Sequence, residues 1–143
     1  MSGLIFECGI KDELISKTIT IIDKIEKMSD EEFKKALLEL GLDEEQSNNL
    51  LDYFSLSLEE LNKIFNNTIN EQLKLGLAEL NNLNNYLENL NLTKYCKFSS
   101  SLARGQDYYT GTVFEVYEKN GKLSCSIGGG GRYDKIITDF IDD

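Results

Sequence analysis

The residues able to do chemistry gather in two stretches. In Leu102-Ala103-Arg104-Gly105-Gln106-Asp107-Tyr108-Tyr109-Thr110-Gly111-Thr112-Val113-Phe114-Glu115, one Arg, one Asp and two adjacent Tyr stand between glycines, directly before a β-type run. Ser126-Ile127-Gly128-Gly129-Gly130-Gly131-Arg132-Tyr133-Asp134 follows across a short turn. Arg supplies a permanent cation whose planar fork matches a carboxylate or a phosphate. Glycine lets backbone come close to a ligand or take positive φ. Adjacent Tyr on an extended segment point to opposite faces, so only one lines a given pocket. Together these residues describe a polar pocket floor with a cationic arm. The bland alternative is a surface hairpin with a salt bridge and two core aromatics, since most ion pairs carry little. For the glycine run it is a flexible linker, but an Arg-Tyr-Asp triplet and an apolar segment follow too tightly for one.

Composition narrows the chemistry. The chain has no His, which removes the commonest general base and metal ligand. Its formal net charge of −10 argues against a protein-wide attraction to nucleic acid, so any RNA contact must be local. Cys8, Cys96 and Cys125 match neither zinc nor redox spacing and read as reduced thiols of a cytoplasmic protein. At 143 residues, 41% hydrophobic and 28% charged, the chain reads as a soluble globular domain, or one domain with a piece of another. No apolar run is long enough for a membrane span, and the N-terminus reads as no signal peptide.

The elements that must position the two stretches fall into two parts. Leu4-Ile5-Phe6-Glu7-Cys8-Gly9-Ile10 reads as the end of a helix closed by a Gly. From Lys11 to Met28, Leu14, Ile15, Ile19, Ile22 and Ile25 form a helical stripe. Four capping boxes then follow: Ser29 with Glu32, Asp43 with Gln46, Ser57 with Glu60, and Thr68 with Glu71. They predict helices near 30–40, 44–54, 58–66 and 69–90, with Gly41 as a C-terminal cap. Phe33, Ala36, Leu37 and Leu40 give one buried face, and Phe54, Leu58, Leu61, Ile64 and Phe65 are expected to share its core. The Asn-dense stretch, with five Asn from Asn81 to Asn89, reads as a solvated face.

At Lys94 the period changes. Tyr95, Lys97 and Ser99 alternate with Cys96, Phe98 and Ser100 as in a strand, and Thr112 to Lys119 predicts another. Asn120-Gly121 is a strong hairpin signal, with Lys122 to Ile127 returning antiparallel. Ile136, Ile137 and Phe140 predict a closing helix. The expected fold is α+β: residues 1–10 a helix fragment, 11–92 a helical domain, and 93–143 antiparallel strands with the closing helix. Such a slice leaves strand edges open, as in a piece of a longer enzyme.

Arg104-Gly105-Gln106-Asp107-Tyr108-Tyr109-Thr110-Gly111-Thr112-Val113-Phe114-Glu115 resembles the first histidine-recognition motif of the histidyl-tRNA synthetases, class II enzymes. Gly129-Gly130-Gly131-Arg132-Tyr133-Asp134 resembles the second. The helical segment before them is similar to that family's insertion domain in position and helicity. The resemblance implies activation of histidine by ATP to histidyl-adenylate, then transfer to the terminal adenosine of tRNA. It makes Arg104 the catalytic arginine on the α-phosphate and the substrate carboxylate, where fixed positive charge meets developing negative charge. Tyr108, Tyr109 and Tyr133 match tyrosines around the histidine, and Gly129 and Gly130 would let backbone approach it. Asp107 and Gly105 would brace the loop. Gln106 departs from the family's usual Leu, changing packing but no matched substrate contact.

The resemblance further implies Mg²⁺ accompanying the ATP in the parent enzyme, no metal held by this chain, and a homodimeric, cytoplasmic parent without membrane association. The insertion domain implies contact with the tRNA acceptor stem. Lys11, Lys17, Lys24, Lys27, Lys34 and Lys35 are local candidates for phosphate, although Lys paired with Glu at helical spacing explains them equally well. Two other functions fit the residues. One is a regulatory paralogue that binds histidine without charging tRNA; the intact Arg104 and Tyr108-Tyr109 weigh against it. The other is a helical module for RNA or protein partners, against which specific tRNA protection would count. The resemblance places the ATP-binding arginine, the dimer-forming motifs and the anticodon-binding domain outside these residues. The chain alone is therefore expected to make no histidyl-adenylate, and a histidine-dependent ATP–pyrophosphate exchange signal would contradict that.

Overall fold

A computed structural model of the chain describes residues 1–104, 109–119, 123 and 125–135. The expected Asn120-Gly121 turn and the closing helix at Ile136, Ile137 and Phe140 lie outside them. The fold is α+β, and the chain divides into two compact units, Met1–Ala103 and Arg104–Asp143.

The first unit is helical throughout its regular structure. Its helices are α1 (Ser2–Glu7), α2 (Asp12–Ile22), α3 (Asp30–Leu40), α4 (Glu44–Ser55), α5 (Leu58–Ile64) and α6 (Glu71–Asn89). Local chemistry sets most of their ends. Ser29, Asp43 and Ser57 each accept a hydrogen bond from the backbone three residues on, and Glu32, Gln46 and Glu60 reach back. Reciprocal caps of this kind satisfy two orphan donors at once. Gly41 ends α3 at φ 104, with the amide of Leu42 donating to Leu37. That is a left-handed cap only glycine takes without strain.

The fourth box does not form. Asn70, not Thr68, caps α6, accepting from the amide of Leu73. Asn is at least as good a cap as Thr, and the Thr68 hydroxyl is engaged elsewhere, donating to Glu7 Oε1 at 2.9 Å. The Lys11–Met28 stripe also divides, with α2 ending at Ile22 and a 3₁₀ turn over Ile25–Lys27.

Two apolar clusters lie within this unit rather than one. Ile5, Cys8, Ile10, Ile22, Phe33, Leu37, Leu42 and Leu50 form the first, with Phe54 packed against it. Leu4, Leu61, Phe65, Leu73 and Leu77 form the second, flanked by Leu58 and Phe98. The residues expected to share one core thus divide between two, and Ile64 is 53% exposed, on the outer side of α5. Burial pushes the Cys8 thiol up to about 12, helped by Glu7, so it stays protonated. Cys96 and Cys125 are exposed and free.

Two further expectations change. Asn81 is not simply solvated, since its side chain and that of Asn62 exchange hydrogen bonds of 2.8 and 2.9 Å between α6 and α5. Residues 94–100 form no strand either. Thr93–Tyr95 make a 3₁₀ turn, after which Ser100 donates to the carbonyl of Tyr53 at 2.9 Å. With Phe98 on the second cluster, the segment is held by the helices and not by a ladder.

In the second unit β1 (Val113–Val116) pairs antiparallel with β2 (Gly128–Gly131), Val113 opposite Gly131 and Val116 opposite Gly128. The return strand is the glycine run itself, since Leu123, Cys125, Ser126 and Ile127 carry no strand. Backbone bonds continue past β2, from Arg132 to Thr112 and from Thr110 to Arg132. Among the described residues no helix is long and apolar enough to cross a membrane.

Two glycines of the helical unit should respond oppositely to Ala. A Cβ on Gly3 would lie 2.7 Å from the backbone nitrogen of Leu73, whereas at Gly76 nothing lies within 4 Å. Gly3→Ala is expected to destabilise by about 1–3 kcal/mol through overpacking. Gly76→Ala should stabilise by roughly 0.5–1 kcal/mol through reduced backbone entropy. Urea unfolding followed by helical circular dichroism reads both.

Candidate active-site face

The β1–β2 pair has two faces, and the glycines decide what each carries. Opposite residues of an antiparallel pair share a face, so Val113 and Glu115 lie with Gly131 and Gly129, while Phe114 lies with Gly130. A Cβ on Gly129 would sit 2.8 Å from Arg104 Nη1 and 2.9 Å from the carbonyl of Phe114. On Gly131 it would meet Tyr109 Cδ1 at 2.7 Å and Val113 Cγ1 at 2.8 Å. Arg104 and Tyr109 therefore lie directly on bare backbone, over alternate glycines of one strand. Across the sheet, Phe114 covers Gly130, where a Cβ would stand 3.1 Å from Cε1. An aromatic ring over a strand glycine restores contacts that the missing side chain forfeits.

A chain of polar side chains crosses the Gly129/Gly131 face. Arg104 Nη1 donates to Glu115 Oε1 at 2.6 Å, with the two side chains 26% and 17% exposed. Tyr117 Oη donates to Glu115 Oε2 at 2.5 Å. The Glu115 hydrogen bond, then its charge, raise the Arg104 pKa further above its already high value, and a hydrogen bond with Tyr109 adds to this. Arg104 is thus a fixed cation at any accessible pH, held by an acid on one side and a phenol on the other.

Of the residues singled out by sequence, the structure brings Arg104, Tyr109 and Gly129 together. Gly130 lies on the opposite face, under Phe114, and Gly131 takes the place beside Tyr109. Tyr133 is 54% exposed. Gly105, Asp107 and Tyr108 lie outside the described residues. Sequence reasoning missed Glu115 and Tyr117 as members of the site. The available signal was their alternation with Val113 on one face of the strand. Beyond the sheet, Asp134 joins the two stretches, its amide donating to Thr110 Oγ1 at 3.0 Å and its carboxylate pairing with Arg132 Nε at 2.8 Å. Among the described residues no group of three or more Cys, Asp or Glu side chains is placed to hold a metal ion.

A bare glycine strand beneath an acid-braced arginine and a tyrosine is suited to holding a small zwitterion or an acyl phosphate at a protein surface. Comparison with known proteins supplies the family. The family model described as "Histidyl-tRNA synthetase" matches residues 3–143. Histidine–tRNA ligase 1 of Bacillus anthracis is 38% identical, the match covering 100% of this chain and 34% of that protein. The chloroplastic/mitochondrial histidine–tRNA ligase of Arabidopsis thaliana is 35% identical over 98% of this chain and 28% of that protein. The crystal structure of histidyl-tRNA synthetase from Nostoc sp. PCC 7120 superimposes with a TM-score of 0.86 at 30% identity, over 98% of this chain and 34% of that one. This chain belongs to the histidyl-tRNA synthetase family, and it spans about a third of the length of the relatives it matches.

Alanine at successive glycines should separate the crowded positions from the open one. Gly128 has nothing within 4 Å of its would-be Cβ. Gly128→Ala is expected to leave the sheet unchanged, while Gly131→Ala weakens amide protection at Val113 and Gly131 by about 1–3 kcal/mol. Hydrogen exchange by NMR measures both.

Proposed function

We propose that this chain is a segment of a histidine–tRNA ligase, carrying part of its histidine site together with the helical insertion domain. In that reaction a carboxylate oxygen of histidine bonds to the α-phosphorus of ATP and the bond to the β-phosphate oxygen breaks, releasing pyrophosphate. A ribose hydroxyl of the terminal adenosine of tRNA then attacks the histidyl carbonyl, and AMP leaves. Arg104 would hold the α-phosphate and the substrate carboxylate, both of which gather negative charge on the way to the adenylate. Tyr108, Tyr109 and Tyr133 would surround the histidine, with Asp107 and Gly105 supporting the loop. A hydroxyl aimed at the imidazole rejects analogues that leave it unpaired. Gly129 and Gly130 would let the strand approach the amino acid. The observation that carries this reading is the Arg104 guanidinium, tied to Glu115 and lying on Gly129 beside Tyr109.

ATP enters as substrate. Among the described residues Arg104 offers its phosphates a cation. We assign residues 11–92 to the insertion domain, and residues 1–10 and 93–143 to the catalytic domain, of a homodimeric cytoplasmic enzyme. The insertion domain would meet the tRNA acceptor stem through lysines in α2 and α3 and in the segments that flank α2. Lys35 Nζ stands 3.9 Å from Glu39 Oε1 on an exposed face, which makes it a weaker candidate than Lys11, Lys17, Lys24, Lys27 or Lys34.

Isothermal calorimetry with histidine tests the site. Binding is expected to weaken by roughly 1.5–3 kcal/mol in Arg104→Ala, the scale of a hydrogen bond to a charged group. Tyr109→Phe should lose about 0.5–1.5 kcal/mol if its hydroxyl serves the substrate. Affinity unchanged in Arg104→Ala would overturn the assignment.

A further inference from the structure

An arginine has five N–H donors on a flexible stem, and ordering that stem costs rotamer entropy. An anion site built on one arginine gains when that cost is met before the ligand arrives. Arg104 shows how the chain does this. Its Nη1 is tied to Glu115 Oε1, and the second oxygen of Glu115 receives the hydroxyl of Tyr117. Glu115 projects from the middle of β1, on the face of Gly129, so the backbone ladder fixes where its carboxylate stands. Beneath the guanidinium lies glycine backbone, which sets the height of the fork over the sheet.

We propose that Glu115 and Tyr117 are positioning residues that hold the Arg104 fork in one orientation for an incoming oxyanion, a relay that rests on Arg104 being the anion-holding residue. Glu115 touches no substrate in this scheme. It occupies one corner of the guanidinium and Tyr109 meets the group as well, and of its five N–H donors those that remain are the ones turned to an oxyanion. Tyr117 keeps Glu115 from swinging away, and it stops the carboxylate from taking both ends of the fork. Were both carboxylate oxygens on Arg104, the acid would act as an internal competitor for the substrate anion. The phenol on Oε2 is what separates a brace from a plug.

The test uses the 143-residue chain, whose only arginines are Arg104 and Arg132, so two Nε–Hε signals are expected and Arg132→Lys tells them apart. In the parent sequence the Arg104 guanidinium should show hindered rotation and slow exchange. Glu115→Ala should release it, Tyr117→Phe should loosen it, and Glu115→Gln, which keeps an acceptor at similar volume, should restore part of the order. Titration with inorganic pyrophosphate, read at Arg104 Nε, should then weaken about tenfold in Glu115→Ala and roughly threefold in Tyr117→Phe, the scale of the net contribution of one hydrogen bond. Unchanged β1 amide shifts in Tyr117→Phe and Glu115→Gln keep the comparison free of unfolding. An Arg104 signal equally mobile in all variants, or equal affinities despite a released guanidinium, would overturn the relay alone. A held guanidinium that ignores pyrophosphate in every variant would instead overturn the anion-holding reading beneath it.

Discussion

The second unit depends on a strand without side chains. Gly129, Gly130 and Gly131 of β2 leave room for Arg104 and Tyr109 on one face and for Phe114 on the other, each at a distance that an added methyl would crowd. Glycine is a poor strand residue, costly in entropy and offering nothing to pack. The deficit is offset from outside the strand, by an aromatic ring over Gly130 and a partly buried ion pair over Gly129. The same absence of side chains that weakens β2 makes its backbone approachable. Structure and site therefore share one constraint.

In the helical unit the corresponding role belongs to α1. Six residues cannot sustain a helix in water, yet Ile5 and Cys8 sit in one apolar cluster and Leu4 in the other. Gly3 lets α1 press against the backbone of Leu73 at the start of α6. Polar ties reinforce the junction, with Glu7 accepting from Thr68 and Gly9 accepting from the Gln46 side chain at 2.8 Å. Gln46 serves twice, its oxygen closing a capping box and its nitrogen reaching Gly9. Tertiary packing, not helix propensity, accounts for α1.

Charge follows the same local logic. A chain at −10 repels phosphates within about a Debye length, beyond which salt screens its charge. At contact range one guanidinium, braced and partly desolvated, outweighs a more distant excess of acid. Pairing the cation with Glu115 reduces its net field but fixes its direction. For a reaction whose charge develops at one known point, direction matters more.

Much of the molecule was legible from residue types alone. Capping pairs three residues apart, Gly41 as a left-handed cap and the strand at Val113–Val116 are decided by neighbours in the chain. The Arg-Gly-Gln-Asp-Tyr-Tyr and Gly-Gly-Gly-Arg-Tyr-Asp motifs carried the family. What the sequence could not reveal were choices between local options of nearly equal energy. Thr68 and Asn70 both suit an N-cap, and only the carboxylate of Glu7 on another helix settles which is used. Residues 94–100 alternate like a strand but are taken by the helices. The apolar stripes were plain, yet their division into two clusters required the helices to be in place. Glu115 and Arg104 stand eleven positions apart, and nothing in their types announces a pair. The glycine run read as a passage between elements because glycine has no β preference of its own. It becomes a strand when neighbours supply the side chains it lacks, and that condition exists only in three dimensions.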